Sequence, residues 1–285
     1  MEHLKDNFRW YVLVGLLLTV GIIWYAIIEE NRNGILTVTF LNVGQGDAIF
    51  IEAPNGNQML IDGGVNKQVL RELASVMPFY DRSIDVVVAT HPDQDHIGGL
   101  PDVLERFNID YIFESGASSN SSAYHSLVRY IEQENAEHII ARRGMKIVLS
   151  DGVYLKVLFP DRDVSGIEAN DASIIAQLVY GDTEFIFSGD ASQKMEKYVA
   201  GLDGKGLESD VLKLGHHGSK TSTSNIFLGL VNPDYTVVSA GEDNRYGHPH
   251  KEVLDTLEQF AVPLLGTYES GTVVFETDGE NLRLK

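Results

Sequence analysis

The chain has no cysteine among its 285 residues, so disulfide bridges, thiolate zinc sites and a cysteine nucleophile are all excluded. Positive charge is scarce. Against 41 Asp and Glu stand only 22 Lys and Arg, a formal net charge of −19. That balance excludes broad, sequence-independent coating of nucleic acid, which needs a basic surface; a polyanionic substrate would have to meet positive charge that is local. Internal repeats of solenoid period and long Ser/Pro linkers are also missing. At 44% hydrophobic and 22% charged residues, the composition is that of a globular protein.

One long apolar run is present. Residues 10–28 carry no charged side chain, and as a helix they would extend roughly 28 Å, close to the thickness of a bilayer core. Trp10 and Tyr11 stand at one end and Trp24 and Tyr25 near the other, where amphipathic rings favour the two interfaces. A cleaved signal peptide would have a shorter apolar core and small residues at its end; this run has neither. Lys5 and Arg9 precede it, while Arg32 follows beside Glu29 and Glu30. The positive-inside bias places the amino terminus in the cytoplasm. The expected order is a cytoplasmic tail at 1–9, a single-pass anchor at 10–28, a linker at 29–34 and an extracytoplasmic domain at 35–285.

That domain reads as one α/β unit. Alternating or continuous apolar runs predict strands at 35–41, 47–52, 58–62, 84–90, 111–114, 146–149, 154–159, 173–180, 184–188, 211–214, 235–239, 264–268 and 272–276. Helical spacing appears at 100–107, 123–134, 192–200, 224–230 and 250–260. Strands crowd both halves with helices between some of them, which predicts two packed sheets with helices outside.

The chemistry concentrates at strand ends. After the apolar run 84–90 come His91, Asp93, Asp95 and His96, then Gly98 and Gly99. Extended residues two apart project to one side, so ligands leaving a strand end can converge on a cation. Asp190 ends the apolar run 185–187 in the same way. His216 and His217 follow the strand at 211–214, and His248 and His250 precede the last long helix. Six of the nine histidines therefore lie in strand-end loops, where packing does not account for them.

These segments resemble the metallo-β-lactamase superfamily, and more closely the metallo-β-lactamase-fold domain of the ComEC family of DNA-uptake proteins. The resemblance rests on the 42–48 segment Asn-Val-Gly-Gln-Gly-Asp-Ala, on Ile61-Asp62-Gly63-Gly64 and on the run from His91 to Gly99. It continues through Asn170-Asp171-Ala172-Ser173, Ser188-Gly189-Asp190, His216-His217-Gly218-Ser219 and Tyr246-Gly247-His248-Pro249. It implies an αββα four-layer sandwich holding two divalent ions, zinc or manganese, through His91, Asp93, Asp95, His96, Asp190 and His248. Asp190 would bridge the ions and position an activated water. Asp95 and Asp190 would act in catalysis together with His216 or His217, which would protonate a leaving oxygen, bind phosphate or complete a metal shell. Asp62 orients a ligand histidine on this reading, and Asp47 and Gln45 line the site. Two departures stand out: Asp93 replaces the second histidine of the superfamily motif, which favours harder cations, and Asn170 occupies the third-histidine region.

The implied activity is hydrolysis of phosphodiesters in DNA or short nucleic acid. Two ions would add about +4 of charge to the cleft. Asn170, Lys213, Ser219, Lys220 and Arg245, with Lys251 nearby, are the candidate substrate contacts. The same chemistry suits a small ester, lactone or β-lactam, and a metal-poor binding module would keep the fold without turnover. No protein partner is legible.

Overall fold

The structure, a computed structural model, describes residues 2–30, 34–134 and 136–285, and within the first helix the side chains of residues 8–22 and 24. Helix α1 (Glu2–Glu30) is followed by β1 (Leu36–Phe40), β2 (Ile49–Glu52), β3 (Gln58–Ile61), α2 (Gln68–Val76) and β4 (Ser83–Ala89). Then come α3 (Gln94–Ile97), α4 (Leu100–Arg106), β5 (Asn108–Glu114), α5 (Ser122–Gln133), β6 (Glu137–Ile140), β7 (Lys146–Ser150) and β8 (Val153–Phe159). The second half runs β9 (Ile175–Tyr180), β10 (Thr183–Phe187), α6 (Gln193–Asp203), β11 (Val211–Lys213), α7 (Asn225–Val231) and β12 (Tyr235–Val238). It ends with α8 (Lys251–Phe260), β13 (Leu264–Gly266), α9 (Thr267–Ser270), β14 (Val273–Thr277) and β15 (Leu282–Leu284).

Two sheets form. The first has the order β15-β14-β1-β2-β3-β4-β5-β6 and the second β13-β12-β11-β10-β9-β8-β7. Phe40, Phe185, Phe187 and Phe275 sit between them in one apolar layer. A second layer packs α6, α7 and α8 onto one sheet through Val199, Phe227 and Leu257; a third packs α2, α4 and α5 onto the other through Leu73, Val103 and Leu127. The expected αββα sandwich is what the chain builds.

Each sheet has a parallel half whose crossovers are helices: β3, β4, β5 and β6 in one, β10, β11, β12 and β13 in the other. Parallel strands with helices between them bury both faces, which is why β4 reads as a continuous apolar run. Their carboxyl ends open onto a common edge, the place where α/β sheets collect ligands. Asp62, His91, Asp190 and the 215–218 turn all follow such ends.

Several elements differ from expectation. The strand expected at 264–268 stops at Gly266, and the chain turns into α9. The strand expected from 173 starts at Ile175, because Asn170–Ala172 wind into a 3-10 turn and the Ser173 hydroxyl accepts from Asp190 N. Helix α2 and strands β6 and β15 were not anticipated: β6 and β15 are short and partly exposed, and α2 buries only Val69 and Leu73. Helix α1 runs through the expected tail as well as the apolar run. Among the described residues no helix is long and apolar enough to cross a membrane; the expected anchor at 10–28 extends past the side chains described, and residues 31–33 of the expected linker lie outside the described residues.

The glycines after His96 are steric requirements. A Cβ on Gly98 would lie 2.2 Å from the Val65 carbonyl oxygen and one on Gly99 2.2 Å from that of Gly63. Gly99→Ala is therefore expected to cost about 3 kcal/mol in urea or thermal unfolding, and a variant as stable as the parent would show that the segment is free to shift.

Candidate metal centre

The site is assembled from both sheets. At the end of β3 the chain turns through Asp62 in a left-handed conformation (φ 59°). Its carboxylate accepts from Thr90 N at 2.8 Å and Thr90 Oγ1 at 2.7 Å, just past the end of β4. The same carboxylate meets His96 Nδ1 at 2.7 Å, which leaves Nε2 of that ring facing inward. Helix α3 is a single turn; it carries Asp95 and His96, and backbone bonds tie it to the 46–64 segment, Gly63 N to His96 O at 2.6 Å and Asp47 N to Asp95 O at 3.2 Å.

The second sheet supplies the opposite wall. Asp190 follows β10 and is buried. One of its oxygens lies 3.1 Å from His96 Nε2; the other lies 3.5 Å from His217 Nε2 and 3.7 Å from His216 Nε2. His216 and His217 both adopt left-handed conformations in the 215–218 turn, which aims two consecutive imidazoles at one carboxylate. His217 Nε2 is also 3.3 Å from Asp95 Oδ2. Its Nδ1 contacts the Ser239 carbonyl at 3.0 Å and Asp47 Oδ1 at 3.2 Å. His91 is buried with its ring 4.1 Å from that of His96, and its Nε2 lies 3.8 Å from Asp93 Oδ2. The His248 ring stands 5.7 Å from that of His216 and 6.2 Å from that of His217, stacked on Tyr246.

Donor atoms of Asp47, His96, Asp190 and His217 fall within 4.8 Å of one another. Asp47 is already committed, however: Lys213 Nζ lies 2.9 Å from one of its oxygens and 2.8 Å from the other. It stands behind His217 as Asp62 stands behind His96, the carboxylate–imidazole arrangement that orients metal-binding histidines. Asp95 takes its place on the inner face of His217.

Electrostatics agree with a site built for cations. Burial pushes the Asp190 carboxyl up, but His217 and His96 overcome it and hold it well below the usual range. Burial works against charge on His217, yet Asp190 and Asp47 bring that imidazole to about 10. His91, buried and beside His96, falls to about 3. His91 Nε2, His248 Nδ1 and Asn170 Oδ1 are buried without a hydrogen-bond partner, and His96 Nε2, His217 Nε2 and Asp190 Oδ1 meet only in ion-pair contacts. Unpartnered buried groups are costly, and imidazole nitrogens and carboxylate oxygens left in this state within one buried cluster fit the coordination of a divalent ion.

The other expected contacts divide. Lys213 is corrected: it is fully buried and held by Asp47 and the Leu214 carbonyl, so it cannot reach a phosphate. Lys251 pairs with Asp255 on the exposed face of α8. Asn170 Nδ2 lies 3.4 Å from His216 Nδ1, at the centre itself. Ser219 is buried in the turn against Thr221, whereas Lys220 is exposed. Exposed Arg245 lies over the Tyr246 ring and beside Asn244, Gln45 and Asp95 in a cleft of about 440 Å³.

Three supports were missed. Thr90 and Ser239 act through atoms no motif advertises. Glu196 was legible only as an acid on the buried stripe of α6, among Met195, Val199 and Ala200. Its carboxylate accepts from Thr223 N at 2.7 Å and Ser224 N at 2.6 Å, fixing the segment that follows the two histidines.

A four-layer αββα sandwich whose imidazoles and carboxylates meet at the strand ends defines a class, and the chain belongs to it: the metallo-beta-lactamase superfamily, whose pattern matches residues 41–242. The chain is 30% identical over 263 residues to competence protein ComA of Neisseria gonorrhoeae, covering 92% of this chain and 35% of that protein. It is 28% identical over 255 residues to ComE operon protein 3 of Bacillus subtilis, covering 84% and 32%. The chain thus spans about a third of the length of the curated relatives it matches. Among solved structures, the metallo hydrolase Igni18 of Ignicoccus hospitalis shares the fold at a TM-score of 0.54 and 17% identity, over 85% of this chain and 99% of that one.

Asp47→Asn should leave Lys213 buried without a counter-charge, a loss of about 3 kcal/mol in unfolding. It should also weaken divalent-ion binding by calorimetry roughly tenfold to a hundredfold; unchanged binding would remove Asp47 from the support of His217. Burial raises the Glu196 carboxyl to about 7 against its two backbone donors. The folded protein then keeps this proton where the unfolded chain has lost it, so stability should fall as pH rises from about 4.5 to 7, by roughly 3 kcal/mol. In Glu196→Gln that slope should vanish from urea titrations; a slope kept in full would mean another group carries it.

Proposed function

We propose that the chain is a membrane-anchored, metal-dependent hydrolase that cleaves phosphodiester bonds of DNA or short nucleic acid. The observation that carries this reading is the convergence of inward-facing ring nitrogens on the buried Asp190 carboxylate, His96 Nε2 at 3.1 Å, His217 Nε2 at 3.5 Å and His216 Nε2 at 3.7 Å. Asp95, His96, Asp190 and His217 would hold one divalent ion; His91, Asp93 and Asp190, with His248, would hold a second, zinc or manganese in each case. Bound ions there lower the pKa of a coordinated water and supply a nucleophile at neutral pH.

The chain's own residues do the rest. Asp62 and Asp47 fix the rings of His96 and His217, and Asp190 turns one oxygen to His96 and the other to His216 and His217. His216 is the more exposed of the two adjacent imidazoles, its side chain 28% accessible against 1% for His217. Thr221 Oγ1 lies 3.1 Å from its Nδ1, and its Nε2 side would pass a proton to the leaving oxygen. Lys220 and Arg245 supply local positive charge at the rim of an otherwise acidic protein. Similarity to a protein named for competence, ComA of Neisseria gonorrhoeae, supports a nucleic-acid substrate. The uncharged run at 10–28, with Trp10 and Tyr11 at its start and Trp24 and Tyr25 near its end, supports the single-pass anchor, and the charges flanking it support an extracytoplasmic site.

The test is cleavage of a labelled oligonucleotide by the full chain in detergent, with manganese, zinc and magnesium compared and a chromogenic β-lactam assayed in parallel. Oligonucleotide cleavage should dominate. Asp190→Ala should lose more than the roughly hundredfold that a missing supporting contact costs. His125→Ala and His138→Ala, away from the centre, should keep full activity. An intact oligonucleotide beside an opened lactam would sink the reading.

A further inference from the structure

We propose that the corner of the domain formed by the α2–β4 turn, with Phe79 and Tyr80 at its tip and Arg71, Arg82 and Arg106 around it, docks onto an anionic lipid surface and holds the metal centre away from the bilayer. The proposal rests on the anchor reading of residues 10–28.

The first observation is exposure. Phe79 is 85% and Tyr80 64% accessible, the two rings meeting edge to face. They sit on a turn between two well-packed elements, and Met77 and Phe107 are buried just beneath. Beside the tip a groove of about 380 Å³ is lined by Leu70, Leu73 and Met77 together with the three arginines. Aromatic rings next to cations are the composition of surfaces that rest at the headgroup level.

Charge is the second. On a chain of net charge −19, Arg71, Arg82 and Arg106 are exposed, and among the described residues none of their guanidinium groups pairs with a carboxylate. Arg82 donates only to a backbone carbonyl, that of Asp81. The Asp81 carboxylate, the nearest acid in sequence to the tip, is engaged by Gln58 and Ser83. Unpaired arginines gathered in one place complement a negative leaflet, each worth about 1 kcal/mol near such a surface.

Position is the third. The chain enters the domain at Gly34, whose carbonyl accepts from the Tyr180 hydroxyl at 2.7 Å. Strand registers pair Thr37 with Glu52, Glu52 with Gln58, and Met59 with Val86. The start of β1 and the start of β4 therefore lie at one edge of the sheet, three strands or about 15 Å apart. The aromatic tip is thus beside the point where α1 is joined. His91 and Asp62 lie beyond the opposite ends of β4 and β3, roughly 20 Å along the strands. Asp151, Asp182 and Asp278, on turns at the same edge, make the contact asymmetric: the domain would meet lipid by the α2–β4 corner alone.

The absence of cysteine makes the test direct. The full chain carrying Phe79→Cys, or Asp151→Cys at the β7–β8 turn, is labelled with an environment-sensitive fluorophore. Each is reconstituted into vesicles of phosphatidylcholine, with or without phosphatidylglycerol, containing headgroup-region spin-labelled lipid. Both tryptophans, Trp10 and Trp24, lie in α1 and report the anchor independently. The expected result is quenching of the tryptophans and of the label at 79, stronger with phosphatidylglycerol, and none at 151. Arg82→Gln and Arg106→Gln should each lower the docked-to-undocked ratio about fivefold in anionic vesicles. Quenched tryptophans with an unaffected label at 79 would overturn the docking and leave the anchor standing, as would equal quenching at 79 and 151. Tryptophans that stay unquenched would overturn the anchor and the docking together.

Discussion

The structure turns on one buried carboxylate. Asp190 follows β10, with His96 reaching it from one sheet and His216 and His217 from the other. A carboxylate in that position is expensive to bury without charge around it. Everything nearby serves to supply or orient that charge, and the aromatic layer between the sheets sets the separation at which the two walls can meet. A centre placed on strand ends rather than on mobile loops is held by the same packing that stabilises the fold.

Around the inner ring lies an outer one in which each buried polar group has a partner on a different element. Asp62 joins β3 to the end of β4 through Thr90 and then to His96. Asp47 joins the 42–48 segment to β11 through Lys213, and to His217. Glu196 joins α6 to the turn after the histidines. These contacts cross between elements far apart in the chain, so they fix relative placement, and losing one member leaves a buried charge alone. Lys213 shows the cost of reading charge from sequence only: a lysine near two histidines reads as a phosphate contact, and its ammonium is instead the counter-charge of Asp47, the aspartate behind His217.

A net charge of −19 and a site that would receive polyanions coexist because charge acts locally. Asp95 and Asp190 face inward onto the imidazoles, while Lys220 and Arg245 are exposed and arginines without a carboxylate partner among the described residues gather at the opposite edge. The similarity to competence proteins covers most of this chain and about a third of theirs.

The elements legible in the sequence were those whose periodicity reports burial directly: β4, β10 and β11 as apolar runs, α8 as an amphipathic helix, and the ligand-rich segments that follow strands. Short or edge elements such as β6 and β15 were not, since half-exposed strands carry little pattern. Periodicity alone determined two packed sheets with helices outside, and the composition excluded thiolate chemistry; the family resemblance of the ordered motifs added the four-layer arrangement and the residue types of the centre, because strand-end placement and motifs are local. Only the tertiary structure decided that Asp47 backs His217, that Lys213 is withdrawn, that His216 is the more exposed imidazole and that Glu196 clamps the turn. Those are contacts between groups up to 170 residues apart, as with Asp47 and His217, and nothing in local spacing fixes which atom of one meets which atom of the other.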